Sequence, residues 1–280
     1  MRISNVDGRL TTFVDGKPVD VAEASGGRFG PDPQDGFERW EQLVDWGRSI
    51  GARGAGAVDA DRLDAPVPRP RQVFGIGLNY VAHAMEGPWG VPDVPAVFTK
   101  YPTCIVGAKH IVQIPAPTTD WEVELVVAIG RRAHGVVAAD AWSYVAGLTI
   151  GQDISERTLQ RAGNVPQFGL GKSYPGFGPT GPWLVTVDEF TNPDDLSLSC
   201  ALNGETMQDW NTDDMIFDVP ALIEFLSASK TLLPGTVILT GTPHGVGFAR
   251  KPPRYLKAGE EVVVKLEGVG ELRNPVIAEA

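Results

Sequence analysis

Glu122 and Glu124 stand one residue apart in the run Thr118-Thr119-Asp120-Trp121-Glu122-Val123-Glu124-Leu125-Val126-Val127-Ala128-Ile129-Gly130. The valine-rich stretch around and after them reads as a buried strand. Side chains alternate faces along a strand, so the two carboxylates point the same way, about 7 Å apart, with Asp120 behind them. Like charges that run into an apolar core repel each other and resist desolvation, so something positive must compensate. A divalent cation that prefers oxygen ligands does so economically, and Asp153 in Ile150-Gly151-Gln152-Asp153-Ile154 offers a third carboxylate. A solvated strand end is the plainer reading of the glutamate pair taken alone.

His83 and Glu86 lie three residues apart in Gly75-Ile76-Gly77-Leu78-Asn79-Tyr80-Val81-Ala82-His83-Ala84-Met85-Glu86. On one helical turn they can touch, and a carboxylate beside an imidazole fixes its tautomer and raises its basicity. Such a pair is a general-base dyad; an incidental surface pair is the alternative. Gly75 and Gly77 do not make a dinucleotide fingerprint, since the third glycine and the helical continuation are missing. The next stretch, Gly87-Pro88-Trp89-Gly90-Val91-Pro92, breaks any helix, so the dyad sits on a short segment suited to act as a lid over 81–93.

Three more segments carry candidate site residues. Arg157 and Gln160 follow Asp153 on what reads as a short helix; otherwise Asp153 is an N-cap with Arg157 as its partner. Gly169-Leu170-Gly171-Lys172-Ser173 lacks Walker spacing, so Lys172 reads as a single cation at the site or as a solvated lysine. In Leu239-Thr240-Gly241-Thr242-Pro243-His244-Gly245-Val246-Gly247 a strand ends in a glycine-rich turn. Its backbone N–H groups, Gly241 included, and the Thr242 hydroxyl could hold a carboxylate or an oxyanion; otherwise the turn is purely structural. His110 and His134 have no partner motif and read as surface residues.

The elements that must position these groups are mostly strands. Residues 1–65 form a small N-terminal unit: strands at 1–14 and 17–22 around the turn Asp15-Gly16, a Gly/Pro/Asp-rich loop, and a helix over 37–50. Pro66, Pro68 and Pro70 alternate in a stiff linker to the body, 66–280. The body carries short apolar strands at 73–76, 96–99, 111–114, 123–129, 144–150, 183–187, 196–202, 237–240 and 261–266. Helical patterns are fewer, at 138–144, 155–160 and 219–229, and Asn203-Gly204 marks a tight hairpin turn. The expected class is therefore mostly β (α+β) with a few covering helices.

Composition sets the outer bounds. The length of 280 residues suits one large domain, or a core with a small appendage. The 33 glycines and 23 prolines, scattered along the chain, suit a turn-rich β architecture. A net charge of −11 argues against nucleic acid, whose phosphates need a basic face. No apolar run approaches the roughly 20 residues of a membrane span. Cys104 and Cys200 make no disulfide framework and no signal peptide opens the chain, so a cytoplasmic location is expected.

Taken together, these segments resemble the fumarylacetoacetate hydrolase family. The matching stretches are GLNYVAHAMEG (77–87), PAVFTK (95–100), DWEVELVVAIGR (120–131), GQDISERTLQ (151–160), GKSYPGFGPTGPWLVT (171–186), LNGETMQ (202–208) and LTGTPHGVG (239–247). They run in the family's order from about residue 73 onward. The resemblance implies a β-roll catalytic domain in a homodimer, with Mg²⁺ or Mn²⁺ (Ca²⁺ as a crystal substitute) on Glu122, Glu124 and Asp153. It implies that Lys172 and Thr242 face the substrate, with Arg157 and Gln160 nearby, and that His83 and Glu86 are the family's dyad. The chain departs at Pro175-Gly176, where many members carry aspartate.

The activity expected on this basis is hydrolysis of a C–C bond in a small 2-oxo or 1,3-dicarbonyl acid, with His83 activating water and Lys172 and Thr242 stabilising the oxyanion. Decarboxylation, isomerisation or dehydration through an enolate is the alternative. A non-catalytic binding protein would be expected to lack a ligand or the dyad, and here all are present.

Overall fold

The computed structural model describes residues 1–87 and 90–279. Three strands at the N-terminus, β1 (Arg2–Val6), β2 (Arg9–Val14) and β3 (Lys17–Asp20), are joined by two tight turns. Asp7-Gly8 and Asp15-Gly16 both adopt positive φ, 50° and 80°, then 51° and 72°, which is the mirror-image turn that suits strand twist. The single strand expected over 1–14 is thus split at Asp7-Gly8. The helix α1 spans Trp40–Ser49, shorter than expected, because the chain first runs through a 3₁₀ turn, Pro33–Arg39, which Asp32 caps by accepting the Gln34 N–H.

The body supplies β4 (Val73–Gly77), β5 (Ala96–Thr99), β6 (Val112–Ile114), β7 (Val123–Ile129), β8 (Val145–Gln152), β9 (Gly178–Val185), β10 (Ser197–Leu202), β11 (Glu205–Asn211), β12 (Val237–Leu239), β13 (Glu261–Leu266) and β14 (Gly270–Ala278). They form two sheets. The larger runs β3-β2-β1-β9-β8-β7-β12-β4-β5 along its main path, and the second runs β11-β10-β13-β14-β6. The N-terminal strands extend the main sheet through antiparallel pairing of Ile3 with Leu184. Among the described residues no helix is long and apolar enough to cross a membrane.

The centre of the main sheet is the antiparallel pair β7–β8, buried at every position. A continuous β-branched run covered on both faces is what the valine-rich sequence predicts. The register sets Val123 opposite Gln152 and Glu124 opposite Gly151. It continues past the strand ends, where the Asp153 N–H donates to the Glu122 carbonyl at 2.9 Å. That pairing brings residues some 30 positions apart to one end of the sheet. Helix α2 (Val81–Ala84) follows β4, α3 (Arg157–Gln160) and α4 (Phe168–Gly171) follow β8, and α5 (Val219–Ser229) covers the outside. The segment 138–144, expected to be helical, is a 3₁₀ helix.

Candidate active site

At the end of β7 and β8, Glu122, Glu124 and Asp153 converge, all buried, with one carboxylate oxygen from each within 4.8 Å of the others. Each is held by its surroundings. The Glu124 Oε2 accepts the Gly241 N–H at 2.7 Å, and the Gln152 side chain accepts the Glu122 N–H at 3.0 Å. Gly241 sits at φ +105°, and a Cβ there would lie 2.6 Å from the Asn79 Cβ, so only glycine brings this amide to Glu124. Asn79 in turn bonds the Thr240 carbonyl at 2.7 Å and ties the segment after β4 to Phe217 on both its amide atoms.

Three cations enter the same cluster. Lys172 donates to Glu122 Oε2 at 2.7 Å, to Asp153 Oδ2 at 2.6 Å and to Ser155 Oγ at 2.8 Å. Arg157 spans Asp120 Oδ1 at 2.6 Å and Glu122 Oε1 at 2.7 Å, and reaches the Gln160 side chain at 3.0 Å. Lys100, at the end of β5, donates to Asp153 Oδ1 at 2.5 Å, to the Phe177 carbonyl at 3.0 Å and to the Lys172 carbonyl. The short helices α3 and α4 meet at Gly171, where a Cβ would lie 2.5 Å from the Gln160 nitrogen, so glycine is needed to set Lys172 against the cluster.

The electrostatics divide the carboxylates. Burial would raise Glu122, but Lys172 and Arg157 outweigh it and hold the group at about 2. Burial raises Glu124 well above the carboxylate range, and Asp153 and Glu122 push it further the same way. Asp120 is pushed up to about 6 by burial, against the pull of Arg157. With Asp120, Glu122, Glu124 and Asp153 ionised against Lys100, Arg157 and Lys172, one negative charge is in excess. It falls on Glu124, the carboxylate among these four that has no cationic partner. A divalent cation would supply that partner, and an all-oxygen set of buried carboxylates fits Mg²⁺ or Mn²⁺.

His83 Nδ1 lies 2.9 Å from Glu86 Oε2, and Glu86 Oε1 accepts the Gly245 N–H at 2.7 Å. Both groups are held, although they stand on the four-residue helix α2 and the turn after it. His83 shares a cavity of about 120 Å³ with Glu122, Arg157, Gln160, Lys172 and Thr242. Leu78, at the unusual φ of 58°, also lines it. The Thr242 hydroxyl accepts from Gln208, which fixes it without using its proton. Pro88 and Trp89 of the expected lid lie outside the described residues.

The structure therefore brings together the expected Glu122, Glu124, Asp153, His83, Glu86, Lys172, Arg157, Gln160 and Thr242. It directs the Gly241 N–H to Glu124. The N-cap of α3 is Glu156, not Asp153, and residues 155–156 pair as a strand with 119–120 before the helix begins. His110 and His134 are exposed, as expected. Sequence reasoning assigned no role to Lys100, although the stretch PAVFTK contains it, nor to Gln208 in LNGETMQ.

Comparison with known proteins matches residues 72–277 to the family described as fumarylacetoacetate (FAA) hydrolase C-terminal. The mitochondrial oxaloacetate tautomerase FAHD2A of Bos taurus is 44% identical over 215 residues, which cover 76% of this chain and 68% of that protein. Among solved structures, the 5-carboxymethyl-2-hydroxymuconate delta-isomerase of Mycobacterium smegmatis is 31% identical with a TM-score of 0.75, each chain covered completely. The maleylpyruvate hydrolase of Sphingobium sp. SYK-6, solved with manganese (II) ion and pyruvate, is 28% identical with a TM-score of 0.80, again with both chains covered completely. The chain belongs to the fumarylacetoacetate hydrolase family, and these relatives are enzymes. The cytoplasmic expectation is corrected by this comparison, since the curated relative is named mitochondrial. The cysteine argument could not have separated the two, because unpaired thiols speak against an oxidising compartment and do not choose among reducing ones.

Proposed function

We propose that this chain interconverts the keto and enol forms of a small 2-oxo acid, using Mg²⁺ or Mn²⁺ on Glu122, Glu124 and Asp153. This reading takes precedence over C–C bond hydrolysis. The observation that carries it is the use of the turn after β12. Hydrolysis needs donors aimed at a developing oxyanion. The Gly241 and Gly245 N–H groups in that turn are both spent on the protein's own carboxylates, Glu124 and Glu86. Moving a proton at the carbon beside a ketone needs a base and a polarised carbonyl, and that is what the remaining groups suit.

A bound divalent metal supplies a Lewis acid that polarises the ketone and acidifies the neighbouring C–H. His83 takes and returns the proton. Its Nδ1 is engaged by Glu86, which leaves Nε2 as the nitrogen for transfer. Arg157 and Lys172 offset the carboxylates of the site itself, and Gln160 and Thr242 line the place of the substrate. The names of the tautomerase and isomerase relatives support the same reading. Hydrolysis is the second reading, favoured by the likeness to maleylpyruvate hydrolase.

The test mixes Mn²⁺-loaded protein with the enol form of oxaloacetate and, separately, with an acylpyruvate. Ketonisation should be accelerated, and His83→Asn should slow it by about 10²–10⁴-fold. Acylpyruvate cleavage that outpaces ketonisation in the same preparation would reverse the two readings.

A further inference from the structure

Two threonines flank Gly241 in the turn after β12, and their hydroxyls are used differently. Thr240 Oγ1 donates to the Leu125 carbonyl at 3.0 Å, so its proton is spent inside the sheet. Thr242 Oγ1 lies 2.8 Å from Gln208 Nε2, and among the described residues no acceptor takes its proton. Thr242 lines the cavity, whereas Gln208, equally buried, is not among the lining residues.

The direction of the Gln208–Thr242 bond follows from neighbours that each have a single polarity. One end of the Gln208 side-chain amide faces the Val123 N–H at 3.0 Å; that group can only donate, so this end is the oxygen. The other end faces the Pro243 carbonyl at 2.8 Å; that group can only accept, so this end is the NH₂. The second N–H of the amide goes to Thr242 Oγ1, which must accept and keeps its own proton for another acceptor. A bulge aims Gln208 at these groups. Met207 and Gln208 are consecutive in β11 yet both buried, because Cys200 pairs with Gln208 and Ala201 with Thr206. The close approach of β11 to the turn needs glycine at 245, where a Cβ would lie 2.3 Å from the Met207 carbonyl oxygen and 3.3 Å from Gln208 Cγ.

We infer that Gln208 is a positioning residue that makes Thr242 a hydrogen-bond donor toward the cavity, so that the substrate atom at Thr242 is an acceptor: a carboxylate, ketone or enolate oxygen. The inference rests on the proposed reading of the cavity as a 2-oxo acid site. A donor whose direction is set before the ligand arrives needs no reorientation when charge builds on that oxygen. Gln208 acts entirely through other groups. The same amide that sets the Thr242 hydroxyl also holds the Val123 N–H, between Glu122 and Glu124, so one residue of the second sheet fixes the donor relative to the strand that carries both carboxylates.

Calorimetry with oxalate, whose oxygens are all acceptors, tests this at saturating Mn²⁺ and without turnover. Thr242→Val keeps the shape of the side chain and removes the hydroxyl, and should weaken oxalate about 10–100-fold, as expected for a hydrogen bond to a charged group. Gln208→Met removes the amide and lets the hydroxyl turn. It should weaken oxalate about 3–10-fold beside Thr242, but less than about 2-fold in the Thr242→Val background. Gln208→Glu, which keeps an acceptor for the Val123 N–H and replaces the NH₂, should show the same dependence on background and serves if the methionine variant does not fold. A residue that only braces the fold would lower oxalate affinity by one factor in both backgrounds. Equal factors, or a Thr242→Val protein with wild-type oxalate affinity, would overturn the role of Gln208 alone. A wild-type protein that does not bind oxalate would overturn the 2-oxo acid reading and this inference with it.

Discussion

Replacing Lys100 by methionine probes how the carboxylate cluster is held in the absence of metal. The Lys100 ammonium is fully buried and meets Asp153 Oδ1 at 2.5 Å, the Phe177 carbonyl at 3.0 Å and the Lys172 carbonyl. Methionine keeps the length of the side chain and removes the charge and all three donors. With Glu124 holding its proton in the metal-free protein, the cluster then goes from balanced charge to one excess negative charge. Removing one partner of a buried ion pair costs about 3–5 kcal/mol, because the other charge stays behind uncompensated. The orphaned carbonyls push toward the upper end of that range. For a chain of this size such a loss lowers the melting temperature by about 6–20 °C. Urea and thermal unfolding in EDTA measure it.

Asp153→Asn in the same background supplies the control. With both charges gone no uncompensated ion remains, so the double variant should be more stable than the sum of the single losses by at least about 2 kcal/mol. A Lys100→Met protein within about 1 kcal/mol of the wild type, or strictly additive losses, would show that Lys100 is not what balances Asp153.

Glu124→Gln keeps an acceptor for the Gly241 N–H and removes the carboxylate that burial, Asp153 and Glu122 all disfavour, so the metal-free protein should melt no lower than wild type. Its Mn²⁺ affinity should fall by more than about 100-fold, since even outer partners of ligands are worth 10–100-fold; tight binding by calorimetry would remove Glu124 from the ligand set. Because the folded state holds the Glu124 proton above the ordinary carboxylate range, metal-free stability should decline as pH rises from the unfolded carboxylate value toward that raised value. Over the same window Mn²⁺ affinity should rise with pH and uptake should release a proton, seen as a buffer-dependent binding enthalpy; a pH-independent affinity would contradict it. Gly241→Ala puts a Cβ 2.6 Å from Asn79 Cβ at a φ of +105°, so it should cost about 1–3 kcal/mol and weaken Mn²⁺ binding as the amide leaves Glu124; an alanine variant with wild-type Mn²⁺ affinity would show the cradle to be dispensable.

Parts of this arrangement can be read from residue spacing, and the reason is periodicity. The two-residue repeat of a strand is enough to put Glu122 and Glu124 on one side, and the helical i,i+3 spacing is enough to let His83 touch Glu86. Lys100 has no such signal. Its partner Asp153 is 53 residues away, and a lysine after a short strand looks the same whether it is solvated or fully buried. The fold divides in the same way. The β7–β8 pair is a mostly apolar run, whereas β14 is polar over its first half and carries Pro275, a strand breaker, so it carried no strand expectation. Paired on both sides, by β13 and β6, it is nonetheless a full strand.

The glycine-rich turn after β12 shows where local pattern stops and tertiary pairing decides. From its residues it could hold a carboxylate or an oxyanion, since backbone N–H groups serve either. The distinction lies in what faces those N–H groups, which is set by β7 beside β12 and by the segment after β4. Those neighbours bring Glu124 to Gly241 and Glu86 to Gly245, at 2.7 Å each. One amide thus steadies a carboxylate of the acidic cluster and the other steadies Glu86, which bonds His83. With those donors engaged, the turn's effect is indirect: it sets the positions of Glu124 and Glu86, which on the proposed reading serve proton transfer and not attack on an acyl carbon. A protein in which the same turn presented its amides to the cavity would favour hydrolysis with the same residues in sequence.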